Sequence, residues 1–128
     1  MKIILNNDSM VPIYEQVVGQ IKNQILEGSL IEGIVLPSVR ALAGELRISA
    51  LTVKKAYDAL ESEGFVTTVH GKGTYVKAIN KQLAEDYNRQ QIEACFTQAI
   101  DRARAAGFDD AEIIDLLSML LEDQRRTL

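Results

Sequence analysis

Two helical patterns separated by a very short link constrain the fold of this 128-residue chain more than any other feature. Apolar residues recur at three- and four-residue intervals over residues 39–46 and again over residues 53–60. A serine, which is a preferred helix N-cap, stands at the start of each helix. Because only Arg47 and Ile48 lie between the first helix and the second cap, the two helices must cross steeply. The expected buried residues are Val39, Leu42, Ala43, Leu46, Val53, Ala56, Tyr57 and Leu60.

Further elements on both sides of this pair complete an N-terminal module. A helical pattern begins at Met10, with Ser9 as its expected cap, and Gly28 is expected to end it. A short apolar segment precedes Pro37, and two segments typical of strands, joined by a turn at residues 70–73, predict a hairpin. This order of elements predicts a winged helix-turn-helix. The strand-like segments are residues 34–36, 65–69 and 74–76.

The remainder of the chain has a helical pattern. One helix is expected from Ile79 to about Ala106, and a second from Asp109 to about Arg125. Asp109 followed by Glu112 is typical of a reciprocal helix cap. The sequence therefore predicts a mostly α member of the α+β class, with a winged helix-turn-helix domain at residues 1–78 and a two-helix dimerisation region at residues 79–128.

The last helix is too apolar to be covered by one neighbouring helix. Seven of its nine residues from Ile113 to Leu121 are apolar, so it must be covered on more than one side. We expect a symmetric homodimer, and the alternative is a helical hairpin folded back on the winged domain. The predicted dimer interface comprises Ile92, Phe96, Ala99, Ala103, Ile113, Ile114, Leu117, Leu120 and Leu121.

Charge and the rare residue types exclude several classes of function. Residues 1–78 carry 8 basic and 8 acidic side chains, and residues 79–128 carry 6 and 10, so the net charge of -4 lies in the C-terminal part. A basic face on the N-terminal module is therefore allowed. With one histidine, His70, and one cysteine, Cys95, we expect no metal site, cofactor or disulfide, and Cys95 is expected to be a small buried apolar residue. The chain lacks the pattern of a leader or membrane span, which predicts a cytoplasmic protein without a membrane partner.

Three stretches at fixed spacing resemble the GntR family of bacterial transcription regulators. They are Leu36-Pro37-Ser38-Val39-Arg40-Ala41-Leu42-Ala43, Leu60-Glu61-Ser62-Glu63-Gly64 and Gly71-Lys72-Gly73-Thr74-Tyr75-Val76. The short helical remainder resembles the YtrA-like branch of that family. This resemblance implies a homodimeric cytoplasmic transcription factor, usually a repressor, whose targets often include genes for membrane transporters. Two copies related by a twofold axis would require an inverted-repeat operator in double-stranded DNA.

The resemblance also implies DNA contacts on the helix pair. Arg40 resembles the family arginine that binds phosphate or a base edge, and its alternative is a solvated side chain. Lys54 matches a basic position expected to reach phosphate. Ser49 and Thr52 resemble hydroxyl contacts, although Ser49 has an alternative role as an N-cap alone.

The hairpin tip is expected to act as the wing. His70 and Gly71 resemble wing residues that enter the minor groove, where glycine lets the backbone approach DNA closely. Lys72 would add positive charge near the sugar-phosphate edge. The predicted DNA-binding residues are Ser38, Arg40, Ser49, Ala50, Leu51, Thr52, Lys54, Lys55, His70, Gly71, Lys72 and Gly73.

Two residues depart from the family pattern. Ala50 stands where many relatives have arginine, so Ala50 and Leu51 would present apolar groups suited to the C5 methyl group of thymine. Arg47 stands where many relatives have a turn glycine. It would either adopt a left-handed backbone at a cost of about 1 kcal/mol or supply another phosphate contact.

A second class of function remains open from the sequence. The winged domain could instead serve as a protein-interaction or small-ligand-sensing module without sequence-specific DNA binding, and no effector is identified by these residues. An enzyme is not expected, because Ser, Cys and His form no nucleophile and base set and no phosphate-binding loop of the Walker type is present.

Overall fold

The computed structural model describes residues 1–127, which form two compact units. One unit runs from Met1 to Asn88 and the other begins at Arg89. The elements over the described residues are α1 (Ile13–Glu27), α2 (Val39–Leu46), α3 (Ala50–Ser62), β1 (Val66–Val69), β2 (Gly73–Val76), α4 (Lys81–Ala105) and α5 (Asp110–Thr127). None of these helices combines the length and apolar character that a bilayer-spanning helix needs.

The core of the first unit is formed by the apolar rows of α1, α2 and α3. Val17 and Ile21 of α1, Leu42 of α2 and Val53 and Leu60 of α3 are at most 1% exposed. These residues recur at the helical spacing on which the prediction of the three helices was based. Most of the predicted row on α2 and α3 is buried, while Val39 and Leu46 are only partly buried against the core.

The predicted start of α1 is wrong. The helix begins at Ile13, and Met10 is 99% exposed outside it. A proline disfavours helical backbone in the residue before it, so Pro12 prevents a helical turn at Val11. The hydroxyl of Ser9 instead accepts a bond from the N–H of Val11, 3.1 Å away, and caps no helix.

The tight turn between α2 and α3 follows the prediction. The Ser38 hydroxyl accepts the N–H of Ala41 at 3.1 Å, and the Ser49 hydroxyl accepts the N–H of Thr52 at 3.0 Å, so both predicted N-caps are confirmed. Arg47 ends α2 in the left-handed conformation, with φ 57° and ψ 47°. The left-handed arginine allowed by the sequence is therefore present.

The hairpin is extended on one edge by the segment before α2. β1 and β2 pair antiparallel from Val66 opposite Val76 to Val69 opposite Gly73, so Gly73 begins β2 and the turn is one residue shorter than predicted. Val35 forms a bridge with Tyr75 on the outer side of β2. The predicted strand-like character of residues 34–36 is confirmed by this bridge.

The N-terminal segment is held against α1 by a row of glutamines, which the sequence pattern did not indicate. Their side-chain amides bond with the backbone of alternate residues in an extended stretch, while Ile3 and Leu5 pack against the core. The four-residue spacing on a helix, about 6 Å, is close to the two-residue repeat of a strand, about 6.6 Å. The pairs of this glutamine ladder are Gln24 with Lys2, Gln20 with Ile4 and Gln16 with Asn6.

The first unit continues ten residues beyond the predicted boundary at Ala78. The start of α4 is bonded to α1, because the Tyr87 hydroxyl donates to the side-chain oxygen of Asn23 and the Asn88 amide donates to the carbonyl of Leu26. Side-chain bonds of this kind depend on the tertiary arrangement and have no local sequence signal.

The second unit contains the rest of α4 and α5. The predicted cap of α5 is confirmed, since Asp109 accepts the N–H of Glu112 at 2.9 Å and Glu112 accepts the N–H of Asp109 at 3.2 Å. No described residue of α4 or α5 is buried. The expectation of a buried Cys95 is therefore wrong, because this thiol lies on an exposed face of α4.

Candidate nucleic-acid interface

One side of α3 is left uncovered by the core. Ala50, Leu51, Lys54 and Asp58 are exposed there, and we call these four residues the recognition face. Leu51 is 77% exposed, so its apolar side chain is presented to solvent at the start of the helix. The face exists because the buried row of α3 occupies the opposite side of the helix.

An open groove joins the recognition face to α2 and to the hairpin. Its volume is about 470 Å³. It brings predicted DNA-binding residues of two helices together with strand residues that the prediction omitted. The lining residues are Val39, Arg40, Ala50, Leu51, Lys54, Tyr57, Asp58, Thr68 and Thr74.

Lys54 is held loosely by an acidic neighbour. Its Nζ lies 3.0 Å from Oδ2 and 3.3 Å from Oδ1 of Asp58, one helical turn away. Both side chains are more than 60% exposed. An exposed pair of this kind contributes at most about 0.5 kcal/mol, so Lys54 can exchange the carboxylate for a phosphate at little cost.

The side chain of Lys55 contacts α1 and is not part of the groove lining. Its Nζ lies 3.8 Å from the centroid of the Tyr14 ring at the start of α1, a cation–π contact. The hydroxyl of Tyr14 donates to Glu15, and this hydrogen bond with the nearby carboxylate raises the pKa of Tyr14. Lys55 does not line the groove.

Arg40 and the two serine caps differ in whether their side chains already form contacts within the protein. The guanidinium of Arg40 is exposed and, within residues 1–127, has no carboxylate partner at ion-pair distance. The Ser49 hydroxyl caps α3 and also lies 2.7 Å from the Thr52 hydroxyl. The N-cap role of Ser49 is thus present in the fold, and Ser38 has the same role in α2.

The hairpin tip is exposed, and its turn has backbone angles that require glycine at two positions. Gly71 has φ 79° and Gly73 has φ 124°, values that favour glycine. The N–H of Lys72 donates to the carbonyl of Val69 at 2.9 Å, and the hydroxyl of Tyr75 donates to the carbonyl of Lys72 at 3.3 Å. The predicted wing residues therefore stand on a closed three-residue turn.

Residues 13–76 match the family model described as bacterial regulatory proteins, gntR family. This chain belongs to the GntR family. Over 101 residues it is 39% identical to the HTH-type transcriptional repressor YtrA of Bacillus subtilis (strain 168), and the match covers 79% of this chain and 78% of YtrA. The similarity thus extends past the winged domain into the helical region of this GntR protein.

Solved structures agree in fold. A transcriptional regulator from Oenococcus oeni is similar with a TM-score of 0.69 and 30% identity, covering 91% of this chain and 97% of that one. AraR(DBD), solved in complex with operator ORX1, has a TM-score of 0.53 and 28% identity, covering 59% and 95%. This GntR protein is a DNA-binding transcription regulator and not an enzyme, with a winged helix-turn-helix and a helical C-terminal region.

The groove collects part of the set predicted from the GntR resemblance. Arg40, Ala50, Leu51 and Lys54 line it, whereas the wing-tip residues and Lys55 lie outside it. Thr68 and Thr74 were missed, and Asp58, which the helical spacing places on the outward face of α3, was not among the predicted binding residues. Thr68 and Thr74 face each other in the hairpin register, with hydroxyls 3.1 Å apart, and strand alternation places both on one face. The sequence did not indicate that this face meets α3.

A second groove lies in the second unit, between α4 and α5, with a volume of about 240 Å³. We call it the apolar groove. Six of the nine predicted interface residues line it, while Ile92, Ile114 and Leu121 lie outside it. Its lining residues are Phe96, Ala99, Ile100, Ala103, Ile113, Leu116, Leu117 and Leu120. In neither unit do the described residues include three or more His, Cys, Asp or Glu side chains arranged to hold a metal ion.

Proposed function

We propose that this GntR regulator is a homodimeric repressor that binds an inverted-repeat operator. The observation that carries the proposal is the exposed recognition face of α3 beside the hairpin. An α-helix with its side chains is about 10–12 Å across. It therefore fits the major groove of B-form DNA, which is about 12 Å wide. At the projecting turn, Gly71 has no side chain and lets the backbone approach closely, which suits the narrower minor groove.

Charged side chains would position the protein on the DNA backbone. Arg40 can donate two parallel bonds to one phosphate, and Lys54 supplies a point charge on the recognition face. Lys72 adds a charge at the wing tip. Because each phosphate contact releases counterions, affinity falls steeply as salt rises. The same contacts carry no sequence information, so base reading must come from other residues.

Apolar contact would read part of the sequence. Ala50 and Leu51 are exposed at the start of α3 and present methyl groups on the recognition face. The thymine C5 methyl is the apolar group of the major groove. We therefore assign thymine-containing steps to these residues, with His70 and Gly71 in the adjacent minor groove. Ser38, Ser49, Thr52 and Gly73 are supporting contacts, and Lys55 would join them by exchanging its contact with the Tyr14 ring for a phosphate.

The apolar groove supports dimerisation. Phe96 is 53% exposed, Leu117 is 44% exposed and Leu120 is 49% exposed, which is costly for side chains of this size in water. Ala99 and Ala103 in the lining let a second helix approach closely. In a symmetric pair each copy covers the same surface of the other, and Ile92, Ile114 and Leu121 extend that surface.

Symmetry then sets the form of the operator. Two recognition faces related by a twofold axis meet major grooves about 34 Å apart, which requires an inverted repeat. Repression and control of transporter genes are further parts of the proposal, supported by the name of the B. subtilis relative and by the resemblance to the YtrA-like branch. A bacterial regulator of this kind acts on the chromosome and hence in the cytoplasm.

Operator binding is tested with two matched charge reversals. After selection of a high-affinity duplex from random DNA, Lys54→Glu should weaken its binding at least 100-fold, because it replaces an attractive charge with a repulsive one. Lys81→Glu makes the same charge change outside the groove and should retain binding. Gel shifts measure both. Full binding by the Lys54 variant would favour the protein-interaction or ligand-sensing alternative.

Dimerisation is tested by a substitution in the apolar groove. Leu117→Asp should give a monomer at micromolar concentration, since an unpaired carboxylate cannot enter an apolar interface without a large cost. Ser118→Asp, at the neighbouring polar position of α5, should remain dimeric. Analytical ultracentrifugation distinguishes the two. A monomeric wild-type protein would refute the dimer, and a dimeric Leu117 variant would refute this surface.

Thymine reading is tested by replacing each operator thymine with uracil, which removes only the C5 methyl group. We expect loss of affinity at one or two positions per half-site, by about 1 kcal/mol each. The variant Ala50→Gly should become insensitive to one of them. A guanine that proves essential opposite Ala50 would contradict the assignment.

A further inference from the structure

One side chain of α3 is bonded directly to the wing. The carboxylate oxygen Oε2 of Glu61, in the last turn of α3, accepts the backbone N–H of Thr68 in β1 at 2.6 Å. This is a charge-assisted bond, which is shorter and stronger than a bond between neutral groups. It connects the helix that carries the recognition face to the strand that leads to the wing tip.

The Thr68 N–H is available because of the hairpin register. Leu36 donates to the carbonyl of Thr74, and Val76 donates to the carbonyl of Ile34, so these β2 residues direct their backbone groups away from β1. Thr68 lies opposite Thr74. Thr68 and Thr74 are thus a non-hydrogen-bonded pair of the antiparallel ladder. In such a pair the backbone groups of both residues point away from the partner strand. The Thr68 N–H therefore lies on the free edge of β1, where Glu61 takes the place of a neighbouring strand.

The other contacts between the hairpin and the core lie at its base, where Phe65, Val66 and Val76 are buried. The chain passes from the end of α3 to β1 through residues 63–65, and the N–H of Phe65 donates to the carbonyl of Leu60 at 2.9 Å. Residues 34–36 pair with the outer edge of β2, whereas no strand pairs with the outer edge of β1 among the described residues. Gly71 is three residues beyond Thr68, so the tip projects by about 10 Å. A tilt of about 15° at Thr68 would move a tip at that distance by about 2.6 Å, enough to break a hydrogen bond.

We propose that Glu61 is a positioning residue for DNA recognition, which fixes the angle of the wing relative to α3. This inference rests on the proposed function, since it requires the recognition face to bind the major groove while the wing tip binds the minor groove. Glu61 itself contacts neither the major nor the minor groove of the DNA in this proposal. It sets the geometry in which one duplex can be contacted at both places.

The charge of Glu61 must be separated from its role as an acceptor. A carboxylate repels DNA phosphates, so its removal alone would strengthen binding to any sequence. Glu61→Gln removes the charge and keeps an acceptor oxygen, whereas Glu61→Ala removes both. Glu63→Ala is the matched control, because Glu63 pairs with Lys22 at 3.0 Å at the end of the same helix and makes no bond to the wing.

The bond is tested first in the protein without DNA, by amide hydrogen exchange. In Glu61→Ala the Thr68 amide should exchange at least tenfold faster than in the wild type. Glu61→Gln and Glu63→Ala should keep it protected, and core amides such as that of Leu60 should be unchanged in all three. Unchanged exchange at Thr68 in Glu61→Ala would overturn the inference.

The effect on recognition is tested by hydroxyl-radical footprinting on the selected operator. Wild type, Glu61→Gln and Glu63→Ala should protect the minor groove beside each half-site. Glu61→Ala should lose that protection and about tenfold in affinity, while uracil interference in the major groove persists. Protection that persists in Glu61→Ala would overturn the role of Glu61 and leave the proposed DNA contacts intact. A wild type without minor-groove protection would refute the wing contact and the inference together.

Discussion

The hydroxyl of Tyr57 donates a hydrogen bond of 2.7 Å to the backbone carbonyl of Pro37, joining the middle of α3 to the residue before the α2 cap. The side chain is only 4% exposed. Burial, with a smaller contribution from the negative charge of Glu45, raises the pKa of Tyr57 to about 12. The bond therefore holds the helix pair together directly beneath the groove, and it depends on a protonated phenol.

Stability should fall above pH 10 because of this phenol. An unfolded tyrosine ionises near pH 10, so the contribution of Tyr57 is complete below that pH and is lost as pH rises through about 12. At pH 11 the free energy of unfolding should have fallen by about 1.4 kcal/mol through this group. Tyr57→Phe should cost about 1 kcal/mol at pH 7, since it leaves the Pro37 carbonyl unpaired, yet lose less stability between pH 9 and 11. Urea unfolding of both proteins measures the difference, and parallel decreases would contradict it.

The left-handed arginine should be a site of strain. Arg47 has φ 57°, where a residue with a Cβ carries a cost of about 1 kcal/mol. Glycine relieves that cost but adds entropy to the unfolded chain, so Arg47→Gly should stabilise the protein by about 0.5 kcal/mol. Arg47→Ala keeps the strain and removes the same charge. Equal urea midpoints for the two variants would contradict the prediction. A decrease of about one in the slope of log affinity for DNA against log salt concentration, in both variants, would indicate that Arg47 contacts a phosphate.

The helices were predictable because their signals are local. Val53, Ala56, Tyr57 and Leu60 are buried at the spacing that the sequence displays, and a hydroxyl cap acts within three residues of Ser49. The start of α1 was missed because apolar spacing continues through Met10, while Pro12 decides the backbone. A restriction on a single residue outweighed the pattern around it.

The groove was only partly predictable because it is assembled from distant segments. Arg40 and Lys54 could be proposed from a family pattern, but the sequence did not indicate that the Thr68 face of the hairpin would lie against α3. The bond from Glu61 to β1 joins residues whose pairing depends on the hairpin register. The exposure of Cys95 was missed for a related reason, because one side of α4 has no covering element within its own unit.

The glutamine ladder should determine whether the N-terminal segment stays ordered. Gln20 donates to the carbonyl of Ile4 at 2.6 Å and accepts its N–H at 2.9 Å. Gln20→Ala removes both bonds and should cost about 1 kcal/mol, with at least tenfold faster exchange of the Ile4 amide. Gln20→Glu can accept but not donate, so it should lie between the wild type and the alanine variant. Unchanged exchange at Ile4 in Gln20→Ala would show that Ile3 and Leu5 hold the segment without the ladder.

Asp58 should limit the affinity of the recognition face for DNA of any sequence. It is exposed in the groove and holds Nζ of Lys54 at 3.0 Å. Asp58→Asn frees that lysine and removes a charge that repels phosphate, so binding to random duplex should strengthen three- to tenfold, by about 1 kcal/mol. The salt dependence should become steeper by up to about one unit of log slope, and the preference for the operator should fall.

The control for Asp58→Asn is Asp8→Asn, which makes the same charge change at an exposed position outside the groove. Fluorescence anisotropy with operator and random duplexes over a range of salt measures both variants. If Asp58 instead accepts a bond from the N4 amino group of a cytosine, its replacement weakens operator binding while random DNA is bound as before. Weaker operator binding by Asp58→Asn would therefore refute the repulsive role and identify Asp58 as a base-reading residue.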